Sequence, residues 1–483
     1  MRGKKIKKVL ALLLSLAMLL SAAGCGNTGS EGDDKGSQSQ QGSESTGGNE
    51  PEAPGPYTIR TDANGNKVDL GGIEIIIRDW FSDDERQANP DAYTKARYDY
   101  WDWAQATYNF SIKEAPVTTW EDCIQELIDY TSTGGDDNYY VFHMRTDDAV
   151  FSAINNGMAY DVSTLDCLDF TDDKWVDAVT ELYGKGSSVY GFRSYNMSNA
   201  LGGRGMFFNK QVLREAGIDP NDIYTWQKNG EWTWDKFKEV CEIVDQDTNN
   251  DGVTDRFAMA GPKAVWFTMS VYSNEANFIG KDDKGNFFND LESNKTMTAL
   301  NWAREMWNQY DAHKAYPEDA EWNYWESVFT SGKAAFSAAE LWRADGFHGT
   351  LEDDLGYVCY PKGPEATEYA NVCSDAAYFL PACYDPDKAW KIMFAFDLYT
   401  ADTPEYEGER PWRSSFYQAF GDMESVDDTV NALMEHARPA YDTGVPGASP
   451  NDVIDAITEE VTPAQAAETV RDAWAAYIDE ANR

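Results

Sequence analysis

Residues 205–257 read GMFFNKQVLREAGIDPNDIYTWQKNGEWTWDKFKEVCEIVDQDTNNDGVTDRF. Met206, Phe207 and Phe208 form an apolar, strand-like run before Asn209 and Lys210. A short helical pattern follows, with Val212, Leu213 and Ala216 on one face and Gly217 at the position where a glycine ends a helix. Trp232-Thr233-Trp234-Asp235 opens the next helix. Thr233 is its expected N-cap, and Asp235 lies in the first turn, where the helix dipole favours an acid. Phe237, Val240, Cys241 and Val244 then recur at helical spacing.

The same alternation extends outward. Ile73-Glu74-Ile75-Ile76-Ile77 reads as a strand ending in Arg78-Asp79-Trp80-Phe81, and residues 91–110 carry a helical repeat of Tyr93, Ala96, Arg97, Tyr100, Trp101 and Ala104. Tyr139-Tyr140-Val141-Phe142 reads as a second buried strand, followed by His143 to Asp148. Alternating strands and helices predict an α/β layer structure with a largely parallel sheet. Ligands of such sheets sit at the carboxyl ends of the strands, so both segments that follow these strands become candidate sites.

The order "FNK…L…AGID…W(T)W(D)…F" closely resembles the extracellular solute-binding proteins of ABC importers, in the sugar-binding family that includes maltose-binding protein. Other segments carry the likeness along the chain: VFSAINNGMAYDVSTL (150–165), GSSVYGF (186–192), FTSGKAAFSAAELWRA (329–344), YVCYPKGP (357–364) and the stretch 374–398. The resemblance implies two α/β lobes around a ligand cleft, with lobe one at 57–200 and 371–425 and lobe two at 201–365 and 428–483.

Residues 1–24 read as an export signal. Arg2, Lys4, Lys5, Lys7 and Lys8 form its basic end and Val9 to Leu20 its apolar core, too short for a stable membrane span. The small residues before Cys25 resemble a bacterial lipobox, which implies a lipid-modified Cys25 and a membrane anchor on the outer face of the cell membrane. Residues 25–56 are rich in Gly, Ser, Gln and acids and have no large apolar residue, the composition of a flexible tether. The full chain has 83 acids, 40 Lys and Arg, and a formal charge of −43. Such a surface repels nucleic acid and anionic headgroups. Six cysteines remain after Cys25, with no CxxC spacing, so zinc and thioredoxin chemistry have no support. Their even number establishes no disulfide. Cys241, on an apolar helix face, is expected to be a packed thiol.

Aromatic residues make up 14% of the chain, and sugars stack their C–H faces on such rings while their hydroxyls need fixed polar partners. The family likeness implies ligand loops at Asp79, Trp80 and Phe81, and at His143, Arg145 and Asp147. It implies stacking residues at Trp266 and Trp342, with Arg343 beside the latter, and a cleft border at Trp412. Gly202 stands where some relatives carry a ligand-binding acid, and Arg204 is the nearby substitute.

Asp247, Asn249, Asp251, the Val253 carbonyl and Asp255 occupy positions 1, 3, 5, 7 and 9 of a calcium loop, with Gly252 at the turning position 6. Oxygen ligands alone select a hard cation such as Ca2+. Position 12 is Ala258, so the usual bidentate acid must come from elsewhere or from water. Such a metal would be structural.

No HExxH, GxSxG, Walker A or GxGxxG motif occurs, and four histidines leave little room for triads. Enzyme signatures are thus weak, and the family resemblance implies a non-catalytic function: a monomeric, extracellular lipoprotein that captures a small carbohydrate for an ABC permease. The alternatives are the same fold binding a peptide or polyamine, and a surface lipoprotein that holds or degrades glycans.

Overall fold

The computed structural model describes residues 57–82, 86–146, 148–197, 202–351, 354–373 and 376–483. The expected signal (1–24), Cys25 and the tether (25–56) lie outside the described residues. Residues 57–483 form one compact unit built on two mixed sheets.

The strands that position the site are, in chain order, β1 (Ile73–Asp79), β2 (Phe110–Pro116), β3 (Tyr139–Met144), β4 (Gly191–Phe192), β5 (Arg204–Asn209), β6 (Phe257–Met259), β7 (Ala334–Glu340), β8 (Leu355–Cys359), β9 (Asn371–Cys373), β10 (Ala377–Phe379) and β11 (Ala437–Pro439). The first sheet has the order β2-β1-β3-β10-β4 and the second β8-β5-β7-β6. β1 pairs in parallel with β2 and β3, whereas β10 is antiparallel to both β3 and β4. In the second sheet only β6 and β7 are parallel; β5 is antiparallel to β7 and β8. The expectation of largely parallel sheets is corrected by the strands through which the chain changes lobe.

Those crossings decide where the sheets meet. β4 runs parallel to β3 and ends at the carboxyl edge of sheet one. The chain then enters sheet two at Arg204, which pairs with Glu340 at the carboxyl end of β7. The return path leaves β8 at Cys359, opposite Gly205, and enters β10 at Ala377, opposite Met144 at the end of β3. Both connections thus run from one carboxyl edge to the other, and the two edges border the same junction. β9 and β11 pair in parallel within that junction.

The local signals of residues 205–257 translate directly. β5 is buried on both faces: Met206 and Phe208 enter the core of the second lobe, and Phe207 enters the cluster on the opposite side. Asn209 caps helix α1 (Lys210–Glu215) by accepting from the N–H groups of Gln211 and Val212 at 2.9 and 3.0 Å. Gly217 has φ +83°, a left-handed conformation open to glycine at little cost. Thr233 caps α2 (Trp234–Val244), whose Phe237, Val240, Cys241 and Val244 are buried. Cys123, Cys167, Cys241, Cys359 and Cys383 are free thiols.

The helix Pro386–Tyr399 (α3) packs on β2 and β3, but Arg413–Phe420 (α4) packs on β8 and on the helix Ala344–Thr350. The last return to the second lobe therefore precedes residue 413, earlier than the expected boundary at 425. Trp412 marks that crossing. Its ring is buried and Nε1 donates to the Tyr195 carbonyl at 3.1 Å. This corrects its expected place on the cleft border, because no face of the ring is left for a ligand. Among the described residues, no helix is long and apolar enough to cross a membrane.

Candidate functional site

The carboxyl edge of sheet one presents an aromatic platform. Asp79, the last residue of β1, is buried and turns the chain sharply. Its Oδ1 accepts from the N–H groups of Phe81 and Ser82 at 3.0 and 2.9 Å. Burial raises the Asp79 pKa, with the Ser82 and Phe81 hydrogen bonds acting against that rise. The turn displays Trp80 and Phe81. Trp80 stacks flat on His143 at 4.8 Å and meets Trp120 edge-on at 5.2 Å. Trp120 follows β2 in a loop tied to β1 by the Thr118 N–H, which donates to the Asp79 carbonyl at 3.2 Å. The Arg145 guanidinium lies 5.8 Å from the Trp120 ring centre.

His143 is placed differently from the sequence expectation. It is buried between Trp80 and Tyr378, 4.4 Å from the latter, and burial, reinforced by the Arg193 charge, holds its pKa well below the ordinary histidine value. It is a neutral spacer under Trp80, too deep for ligand contact. Asp147 lies outside the described residues. Buried polar atoms without a hydrogen-bond partner in the structure collect at this edge: Asp79 Oδ2, Ser82 Oγ and both His143 nitrogens. Polar atoms left this way are costly unless a further partner arrives.

The carboxyl edge of sheet two presents a second platform. Trp342 follows β7 directly. Arg343 is forked onto Glu340, at 3.1 Å through Nε, and onto Glu326, so its polar face is spent. This corrects the expectation that Arg343 contacts ligand. Its guanidinium instead backs the Trp342 ring at 4.3 Å, leaving the other ring face open. Glu326 lies in the first turn of the helix α5, Tyr324–Thr330, which leads directly into β7. The Arg343–Glu326 pair ties that first turn to the segment that carries Trp342, and Trp322 is separated from the helix by Asn323 alone. Sequence reasoning missed Trp120 and Trp322; the available signal was tryptophan in short polar runs, TTWED and EWNYW, beside structured segments.

Phe81, Trp120, Trp322 and Trp342 are 41, 49, 77 and 64% exposed, while Trp175, Trp232, Trp266, Trp325 and Trp474 are fully buried. The second set includes a further correction. Trp266 sits in the helix α6 (Lys263–Tyr272), which is apolar almost all round. It packs against Trp302 and Tyr360 at 5.3 and 5.2 Å and donates Nε1 to the Ala303 carbonyl at 3.0 Å. With no open ring face, it is a core residue. Arg204 is half-buried at the start of β5, its backbone N–H on Asn371 Oδ1 at 3.2 Å.

The loop from Asp247 to Asp255 is exposed and coiled on its own acids. Asp247 accepts from the N–H groups of Asp251 and Gly252 at 3.2 and 2.7 Å; Asn249 accepts from Asp251 at 2.9 Å, and Asp255 accepts from Thr248 at 3.0 Å. Gly252 turns at φ +91°. Among the described residues, no three His, Cys, Asp or Glu side chains converge as a metal group. A cation here would therefore need Asn249 and the Val253 carbonyl besides the acids.

The family model for bacterial extracellular solute-binding proteins matches residues 153–393. Among solved structures, a cyclo/maltodextrin-binding protein complexed with maltotetraose is similar over 84% of this chain and 96% of its own, at 13% identity and a TM-score of 0.56. The cyclic alpha-maltosyl-1,6-maltose binding protein of Arthrobacter globiformis is similar over 85% and 100%, at 13% identity and 0.56. UgpB of Mycobacterium tuberculosis, in complex with glycerophosphocholine, is similar over 85% and 99%, at 15% identity and 0.56. These likenesses concern the fold. An arabinooligosaccharide-binding protein of Bacillus subtilis (strain 168) is 39% identical over 54 residues, 11% of each chain. Residues 153–393 thus carry the likeness to the bacterial extracellular solute-binding proteins, and the chain as a whole shares the two-lobed fold of the solved structures named above.

Proposed function

We propose that this protein captures a carbohydrate outside the cell membrane and delivers it to an ABC permease, without catalysing a reaction. One observation carries the reading. Trp120 and Phe81 on one carboxyl edge, and Trp342 on the other, keep exposed rings in a chain whose other large aromatics are mostly buried. Exposed tryptophans flanking a junction suit the flat C–H faces of sugar rings. A sugar touching both edges favours the closed arrangement of the lobes by its differential affinity. The relatives named above that bind maltotetraose and arabinooligosaccharide support the class of ligand.

The reading extends to a lipid anchor at Cys25, to action as a monomer, and to calcium as a staple of the Asp247–Asp255 loop, where the coiled acids and the Gly252 turn support it. The test is a thermal-shift screen of neutral and acidic oligosaccharides, peptides and polyamines, followed by calorimetry on each hit. A sugar that raises the melting temperature and binds one to one is the expected result. A peptide or polyamine hit with no sugar hit replaces the reading, and product formation from an oligosaccharide refutes the non-catalytic role.

A further inference from the structure

We infer that the contact between Tyr441 and Glu181 is an autoinhibitory latch: it ties the two lobes together on the side away from the aromatic platforms, holds the cleft open and lowers the affinity for solute. The inference rests on capture by closure of the lobes, and not on which solute is captured.

The order of sheet one sets the lever. Its strands run β2-β1-β3-β10-β4, so the platform that follows β1 and β2 stands at one end and β4 at the other. The crossings to the second lobe leave from β4 and return through β10, and the last one, marked by Trp412, meets Tyr195 just after β4. One further element lies beyond β4. Trp175 bridges Ser194, the Val176 N–H donates to the Arg193 carbonyl at 2.9 Å, and the Tyr195 N–H donates to the Lys174 carbonyl at 2.8 Å. Those bonds seat the helix Asp177–Leu182 on the outer side of β4, where it packs on β4 and on β11. Counted from the platform, this helix stands past the crossings.

Glu181, near the end of that helix, accepts from the Tyr441 hydroxyl. Tyr441 opens the turn Tyr441–Gly444, which follows β11. The next residue anchors the turn in the second lobe: Asp442 accepts from the fully buried Tyr272 hydroxyl at the end of α6. The Lys281 ammonium lies 5.8 Å from the centre of the Tyr441 ring and holds it from the same lobe. Tyr441 is thus fixed to one lobe and Glu181 to the other. Both line a groove of about 920 Å³, with Tyr183 and Lys185 on the first lobe and Lys281 and Phe287 on the second. None of Trp80, Phe81, Trp120 and Trp342 lines this groove.

The state of the cleft gives the sign. Phe81 and Trp120 on one edge and Trp342 on the other stand exposed, so the cleft is open while the latch is made. Rotation about the crossings that brings the platforms together lifts the far side, and the hydroxyl leaves the carboxylate. The bond therefore belongs to the open form alone. Whatever stabilises the open form lowers the fraction of closed molecules, and the apparent affinity falls with that fraction. Solute must then break the latch with its own preference for the closed form.

The test is calorimetric titration of the full chain and of Tyr441→Phe, which keeps the ring and loses the donor. The titrants are maltotetraose, an arabinooligosaccharide and each further solute that raises the parent's melting temperature. Affinity is expected to rise about three- to tenfold in Tyr441→Phe, by the same factor for every solute, because the latch acts on the open form whatever is bound. Glu181→Gln should give a smaller gain, and the double variant no more than Tyr441→Phe alone. A bond that only stabilised the fold would lower the melting temperature of Tyr441→Phe and leave its affinity unchanged. Affinity within twofold of the parent, additive gains in the double variant, or a hydroxyl and carboxylate still bonded in a crystal structure of the closed complex overturns the inference and leaves solute capture standing. If no solute binds the parent, capture itself is refuted, and the latch with it.

Discussion

Two tryptophans that look alike in sequence are expected to behave oppositely when removed. Trp342 is 64% exposed, with one face on Arg343 and the other open. A sugar ring covering roughly 60 Å² of that open face contributes about 1.5 kcal/mol at about 25 cal/mol per Å². Trp342→Ala should therefore weaken binding about tenfold. Its stability should change by less than about 0.5 kcal/mol, because an exposed ring closes no cavity. Trp266 is fully enclosed by Phe237, Trp302 and Tyr360 and hydrogen-bonded to Ala303. Trp266→Ala removes that ring from a packed core and should cost about 3–5 kcal/mol of stability. At equal fractions folded, its affinity should stay within about twofold of the parent. The assay pairs urea unfolding with calorimetric titration of the sugar that raises the parent's melting temperature. If Trp342→Ala binds like the parent, or if Trp266→Ala unfolds like the parent, the separation of platform from core is wrong.

Other outcomes follow from single features. Chelation by EDTA should lower the melting temperature, added calcium should restore it, and Asp251→Ala should abolish that response. Cys25→Ser should move the protein from the membrane fraction to the soluble fraction; full retention in the membrane fraction refutes the anchor. Asp311 is fully buried and its pKa is raised to about 6 by desolvation, against the opposing hydrogen bond and charge of His313. A carboxyl group with a raised folded pKa binds more protons in the folded state. Its contribution is thus fully present below pH 3.8 and is lost as pH rises to about 6, by up to about 3 kcal/mol. The stability of Asp311→Asn relative to the parent should rise across that window and level off above it, which urea unfolding at a series of pH values will read.

Local chemistry was the legible part. The strand at Met206–Phe208, the cap at Thr233 and the stop at Gly217 each depend on neighbours a few residues away, and each stands as read. The positions of Asp79, Trp80 and Phe81 were legible because a strand's end names its own loop. What failed depends on contacts distant in sequence. Whether a tryptophan shows its face is decided by what packs over it: Ala303 and Tyr360 for Trp266, Tyr195 for Trp412. The apolar helix around Trp266 did carry a warning, since a helix apolar on all sides is buried. Trp120 owes its place to a loop tied to β1 through the Asp79 carbonyl, which no local pattern encodes.

The most direct test of capture between the lobes is a crystal structure with the oligosaccharide that binds most tightly in calorimetry. The account predicts sugar carbons within about 4 Å of the Trp342 ring and, in the same molecule, of Trp120 or Phe81 across the junction. A sugar held by one lobe alone, or bound away from both carboxyl edges, would contradict it.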